Sequence, residues 1–423
     1  MPLWTRRETL GWSGWAVGAA SSIRRDSTYM QDSNIAAVSE GDRRALGRLR
    51  ITGVKVHQLR GKLKERFGWS LRWTDQREAT LVEVTTDAGL TGWGDGGWGG
   101  ELLRSRPELV AGRSPFEVEA IFEDLRPPAR GQQRAGPATA GGLDVALWDI
   151  LGQALGVPVW RLLGPRCRDR VQPYCTALYR KDWPDLGAGL AAEAREWKRR
   201  GFRHLKMKIG YGPETDVAIV RAVREAIGNE IGLGVDANCA YDAATAIALG
   251  RRLEPFNLMW LEEPIYAEDF EGYRRLREAV RIPLAGGESF PADRIIRDYI
   301  QPRLLDIVQP EPVTVGLTGG RRLSYLCWLN HVRLVPHNWG TAVRTAAILH
   351  WMATVPPVTE ALNAPPVLFE FDQTENPFRE AVVKERIAIE EDGLIPVPAG
   401  PGLGVTVVRE AVEQFRTGFI TIG

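Results

Sequence analysis

The sequence predicts an α/β protein: a closed parallel barrel of the TIM type, with a separate α+β unit ahead of it. Three observations carry this. Eight short apolar segments alternate with amphipathic helical patterns between residues 166 and 371. Polar residues close most of those segments at a near-constant interval. Upstream, alternating strand-like patterns give way to helical ones, which is the order of an α+β unit rather than of a repeat.

Residues 1–48 are read as a leader outside the fold. Thr5-Arg6-Arg7 precedes a modest apolar stretch at 10–20 that ends in small residues, the outline of a twin-arginine export signal within residues 1–25. Several Gly, two Trp and a second Met at Met30 favour a mis-assigned start or a disordered leader, and with it a cytoplasmic protein.

Residues 49–165 are read as the α+β unit. Segments 51–57 and 79–85 alternate apolar and polar residues, as a strand with one buried face does. Asp87-Ala88-Gly89 supplies a turn before the return at 90–93. In 142–155 the apolar residues fall three and four apart, which predicts a helix with one core-facing stripe.

The eight barrel strands are read at 171–176, 204–209, 232–237, 258–263, 283–288, 306–309, 333–337 and 367–371. An open doubly wound sheet is the structural alternative. It usually carries a Gly-rich phosphate loop after its first strand; the turn after 176 has no GxGxxG and the chain has no Walker A motif. Residues 372–423 are rich in turns and are read as a tail that packs back on the first unit.

Composition excludes several classes. A formal net charge of +1 with 25% charged residues leaves no footprint for nucleic acid or an anionic membrane. No apolar run reaches the roughly 18 residues of a membrane span. The four cysteines form no CxxC pair, so neither a zinc site nor a disulfide framework is supported.

The chemistry lies in the strand ends. Lys208 to Asp236 is 28 positions, Asp236 to Glu262 and Glu262 to Glu288 are 26 each, Glu288 to Glu311 is 23, and Glu311 to His337 is 26. One strand, one helix and two loops take about this length, so each residue returns to the C-terminal mouth, where such barrels hold their sites. Asp236, Glu262 and Glu288 on neighbouring strands repel one another unless a cation lies between them. An all-oxygen set points to Mg²⁺. Lys206 and Lys208, two apart on one strand, enter the mouth together. Two close ammonium groups disfavour each other's charge, which makes either a base near neutral pH. Glu311 is a candidate partner that fixes the tautomer of His337. His57, His204, His331 and His350 lack such placement and are read as packing or surface residues. A metal beside a lysine and a histidine suits removal of a proton α to a carboxylate.

At this point the chain resembles the mandelate racemase group of the enolase superfamily. The resemblance spans residues 50–420 and rests on TGWG (91–94), LDVALWD (143–149), KMK (206–208), DAN (236–238), EEP (262–264), GGE (286–288), DG (392–393) and GPGLG (400–404). It implies a capping α+β domain over a modified (β/α)7β barrel, one Mg²⁺, a small-molecule sugar acid or lactone as partner, and a homo-oligomer. It sets Lys208, His337, Glu311 and Lys206 in the catalytic group and Asn238 near metal or substrate. The family usually has Asp where this chain has Glu311, which leaves the division of labour between Lys208 and His337 open.

VPHNWGT (335–341) and FEFDQTENPFR (369–379) are similar to the aldarolactone cycloisomerases of that group. By that likeness Glu370 binds the substrate carboxylate. Cap loops of the family select substrate, which makes Trp69 and Arg72, in the 62–74 segment, candidates for substrate binding. The expected reaction is β-elimination on an aldarolactone to a 2-keto-3-deoxy acid. The alternatives are dehydration of an open-chain aldonate or aldarate, racemisation or epimerisation, and non-catalytic binding of a sugar acid.

Overall fold

The computed structural model describes residues 47–126, 139–290, 298–359 and 361–423. The leader, its arginine pair and the export reading lie outside these residues, apart from the last two positions of the leader.

Two sheets organise the chain. The first is antiparallel, in the order β13-β1-β2-β3, with β1 at Ile51–Trp69, β2 at Arg72–Thr86, β3 at Thr91–Asp95 and β13 at Arg416–Ile422. Its hairpin is longer than the alternating pattern suggested: Phe67 pairs with Thr74 and Trp69 with Arg72. Segment 62–74, read as loop, is therefore the strand tip of a two-stranded ribbon. An irregularity between Lys62 and Phe67 hid the period of 2. Leu63 and Phe67 still face inward, against Tyr179, while Lys62, Lys64, Glu65 and Arg66 are exposed.

Helix α1, Gly141–Leu155, lies against this sheet. It was read with one buried stripe, yet every residue from Gly141 to Gly152 is buried. The reason is a second contact: its other face packs on α6, Pro312–Leu329, of the barrel. Gly94 permits the approach on the sheet side, since a Cβ there would lie 1.8 Å from the Gly142 carbonyl oxygen.

The second sheet is parallel and curled, in the order β10-β9-β8-β7-β6-β5-β4-β11. Its strands are β4 Arg170–Thr176, β5 His204–Lys208, β6 Gly232–Asp236, β7 Trp260–Glu262, β8 Leu284–Gly286, β9 Ile307–Val308, β10 Arg333–Leu334 and β11 Leu368–Asp372. Between them run α2 Leu186–Arg199, α3 Pro213–Ile227, α4 Ala243–Leu253, α5 Phe270–Ala279, α6, and α7 Ala342–Thr354. No helix follows β11 directly. This is the (β/α)7β form of the barrel, with part of the connection between β8 and β9 outside the described residues. Among the described residues β10 and β11 share no ladder. Asn338 spans the seam instead, donating its side-chain amide to the Glu370 carbonyl (3.0 Å).

Apolar residues plug the barrel beneath its mouth: Tyr174, Trp260, Ala285, Ile307, Val335 and Leu368 are buried together, with Tyr174 and Trp260 edge to face at 5.2 Å. Each large side chain in such a layer contributes roughly 1.5–3 kcal/mol. The chain end is shared between the sheets. β12, Ile395–Pro396, pairs with β4, while β13 pairs with β1. Among the described residues no helix is long and apolar enough to cross a membrane, and the four cysteines are unpaired.

Candidate active site

Strand register sets the height of the polar residues. Lys208 pairs across to Asp236, and Asp236 to Glu262. Glu288 follows two residues after β8, past a turn through Gly287 at φ 136°. Carboxylate oxygens of Asp236, Glu262 and Glu288 all lie within 4.8 Å of one another. Asn238, at φ 45°, donates its backbone N–H to Asp236 (2.9 Å) and its side-chain amide to Glu288 (3.1 Å). Glu288 Oε2 and Asn238 Oδ1 are buried without a hydrogen-bond partner. Buried acceptors of this kind call for a ligand. The donor set, three carboxylate groups and an amide oxygen, fits a hard divalent cation.

The lysines correct an expectation. Lys206 Nζ lies 2.7 Å from Glu262, 2.9 Å from Glu370 and 3.6 Å from Asp236. Lys208 Nζ hydrogen-bonds Asp236 and stands 5.3 Å from the centre of the Tyr179 ring. Burial opposes both ammonium charges. Glu262 and Glu370 nevertheless hold Lys206 well above the usual lysine range, and Asp236 does the same for Lys208. The mutual repulsion of the two lysines is real but smaller than the pull of the carboxylates, so their pKa values rise instead of falling. Burial also raises Glu262 well above the carboxylate range, and Asp236 adds to it. For Asp236 burial is outweighed by Lys208 and Lys206, and its pKa falls.

His337 closes the opposite side. Its Nδ1 meets Glu311 Oε2 at 2.6 Å, and its Nε2 lies 3.3 Å from Glu288 Oε2. Burial works against the imidazolium, but Glu288 and Glu311 raise its pKa to about 10. Glu311 is opposed by burial and brought down to about 2 by His337 and Arg344. Glu311 also caps α6, accepting from Val313 N (3.0 Å).

Glu370 joins the cluster from β11, with both oxygens engaged: Oε1 by Thr176 and Lys206, Oε2 by Asn338 N at 2.8 Å. Trp69 reaches the rim, edge-on to Trp339 (5.6 Å) and Tyr179 (6.1 Å). Arg72 does not join it. Its side chain is exposed, and its backbone carbonyl accepts from Arg180 (3.2 Å). The remaining histidines stand apart: His57 on Glu83, His350 in the core, His204 half-buried and His331 exposed.

Sequence reading missed four participants. Trp260 and Gln309 donate to Glu262 Oε2 at 2.9 and 2.8 Å. Trp260, two before Glu262 on its strand, and Gln309, at the end of β9, were both findable from period and position. Asn338 and Arg344 were not, since neither stands at a strand-end interval.

The mandelate racemase/muconate lactonizing enzyme N-terminal domain matches residues 52–164, and the enolase C-terminal domain-like family matches residues 189–411. The chain belongs to the mandelate racemase/muconate lactonizing enzyme family of the enolase superfamily. It is 36% identical to a D-galactarolactone cycloisomerase of Agrobacterium fabrum over 87% of this chain and 99% of that one. The solved structure of a 3,6-anhydro-D-galactonate cycloisomerase from Zobellia galactanivorans superposes with TM-score 0.74 at 32% identity, covering 87% and 100% of the two chains. A variant L-talarate/galactarate dehydratase, solved with Mg and L-glucarate, gives TM-score 0.75 at 25% identity over 92% and 97%. This superfamily enzyme thus shares about nine-tenths of its length with relatives named for sugar acids or their lactones.

Proposed function

We propose that the chain opens an aldarolactone, of the D-galactarolactone type, to a 2-keto-3-deoxy acid. One observation carries the reading. In strand order, the carboxylates of β6, β7 and β8 lie between Lys208 on β5 and His337 beyond β10. A substrate carboxylate seated at the three acids is flanked by a proton-transfer group on each side.

Asp236, Glu262 and Glu288 hold Mg²⁺ in this reading. The bound cation supplies Lewis-acid stabilisation of charge developing on the substrate carboxylate. Lys208 and His337 act as the acid–base pair. One removes the proton α to the free carboxylate. The C–O bond at the β carbon then breaks, and the lactone's own carboxylate leaves. The resulting enol takes a proton at the β carbon and becomes the ketone, so no atoms are lost. A carboxylate departs without protonation, so lactone opening makes the smaller demand on an acid. Lys206 ties Glu262 to Glu370, and Trp69 borders the substrate. A homo-oligomer belongs to the same reading, supported by the exposed Tyr325, Trp328 and Leu329 on α6.

Dehydration of an open-chain acid is the second reading. It is supported by His337, whose Nδ1 is held by Glu311 at 2.6 Å and whose Nε2 faces the carboxylate cluster, where it could protonate a departing hydroxide.

The test is incubation of the purified protein and Mg²⁺ with D-galactarolactone, galactarate and galactonate, with detection of 2-keto acid. The lactone is expected to give an isomer of equal mass, and in D₂O a product with one deuterium at the former β carbon. Turnover of open-chain acids alone, with loss of water, replaces the cycloisomerase reading by the dehydratase one. Turnover indifferent to chelation of Mg²⁺ ends both.

A further inference from the structure

Arg344 is placed against its own interest. It stands in the first turn of α7, two residues after Ala342 begins the helix, where the helix dipole disfavours a cation. Its side chain is only 10% exposed. Burying a guanidinium is unfavourable unless it is paired. Two carboxylates from separate parts of the fold pair it. Arg344 donates to Glu311 Oε1 (3.3 Å) and to Asp95 Oδ1 (2.7 Å), the latter at the end of β3. Asp95 also accepts from Thr341 N (2.7 Å), so it fixes the start of α7 as well. Gly340 makes the room: a Cβ there would lie 2.4 Å from Arg344 Nε.

We propose that Arg344 is a positioning residue for His337, clamping Glu311 to Asp95 of the antiparallel sheet. Glu311 has one oxygen on the imidazole and the other on Arg344 and Val313 N. The planar fork of Arg344 reaches both acids at once through two different nitrogens. The carboxylate is thereby held on both sides, and the imidazole it supports is aimed at Glu288. His337 thus depends on how the antiparallel sheet sits on the barrel. The importance of His337 rests on the proposed reaction; its geometric dependence on Arg344 does not.

The experiment uses full-length protein with saturating Mg²⁺, labelled with ¹⁵N-histidine, which is workable because the chain has five histidines. R344Q is expected to lower kcat roughly 10- to 100-fold, with KM within about threefold, as loss of an outer partner typically does. The His337 Nδ1–H resonance should move while the other four histidines stay in place. R344K should recover part of kcat. G340A displaces the guanidinium with its charge intact and should act in the same direction, more weakly. A kcat within twofold of the parent, with an unmoved His337 resonance in R344Q, overturns the proposal. If R344Q shifts all five histidines and fails to fold, G340A decides, and an unmoved His337 resonance there overturns it equally. The resonance needs no substrate. Inactivity on every lactone and sugar acid would end the proposed reaction and leave this inference readable.

Discussion

The barrel mouth and the seam beneath the antiparallel sheet both bury carboxylates, and they treat them differently. At the seam, Asp144 takes Leu317 N (2.7 Å), Thr318 N (2.9 Å) and the Thr318 hydroxyl. Asp149 takes Trp93 N (3.0 Å) and Leu403 N (2.8 Å). Each of these acids is alone among neutral donors. At the mouth, three acids crowd within 4.8 Å, two lysines serve them, Asn238 Oδ1 accepts no hydrogen bond, and Glu288 Oε2 accepts none either, with only His337 Nε2 near it at 3.3 Å. A structural carboxylate is closed by its own fold. The acids of the mouth keep charge and lone pairs that a ligand would complete.

That contrast can be broken by substitution. Lys208→Ala should lower kcat by about 10³-fold or more while the circular dichroism spectrum is retained, since positioned proton transfer supplies that order of rate. A variant at near-parental rate would remove the mouth from the chemistry. At the seam the effect should invert. Asp144→Asn should lower stability by about 1–3 kcal/mol, because an amide cannot accept from all three donors, yet leave kcat within twofold. Thermal denaturation and steady-state kinetics on the same preparation check both halves.

The rim sharpens the comparison. Trp69→Ala should raise KM about tenfold, as loss of a large aromatic contact does, while Arg72→Ala should leave KM within twofold. Equal effects would mean that the exposed Arg72 swings inward when substrate binds.

The smallest effect is a pH dependence at the seam. His350 is buried, its Nδ1 faces Trp160 N (3.3 Å) and its Nε2 the Leu403 carbonyl (3.1 Å). Burial is the larger influence and lowers its pKa to about 4, against a smaller opposing effect of the Leu403 carbonyl. The unfolded chain therefore takes up this proton first. Its contribution is intact above about pH 6.5 and is lost as the pH falls toward 4. Asp144 runs the other way. Burial raises its pKa to about 7, so its contribution is intact below the ordinary carboxylate range and is lost as the pH rises through 7. Thermal midpoints measured from pH 4 to 8 should lose the acid-side decline in His350→Gln and the alkaline-side decline in Asp144→Asn.

Much of this was legible in the chain. The eight barrel strands are found where apolar segments were read, and the 23–28-residue intervals bring Lys208, Asp236, Glu262, Glu288, Glu311 and His337 to one mouth. The ribbon tip was misread because an irregularity broke its alternation. Helix α1 was misread because periodicity reports one buried face and cannot reveal a second contact. The lysine pKa values were misjudged because adjacency in sequence displayed the repulsion between Lys206 and Lys208 and concealed the carboxylates arriving from other strands.

Sequence alone determined the elements, their order and the residue types at the strand ends, since hydrophobic period and strand–helix spacing are local properties of the chain. Tertiary structure decided which partner each charge takes. Asp95 and Arg344 lie 249 positions apart, and Lys206 and Glu262 lie 56 apart. Electrostatic balance in a buried site follows from distances of a few ångströms, and only the packing of the two sheets sets those distances.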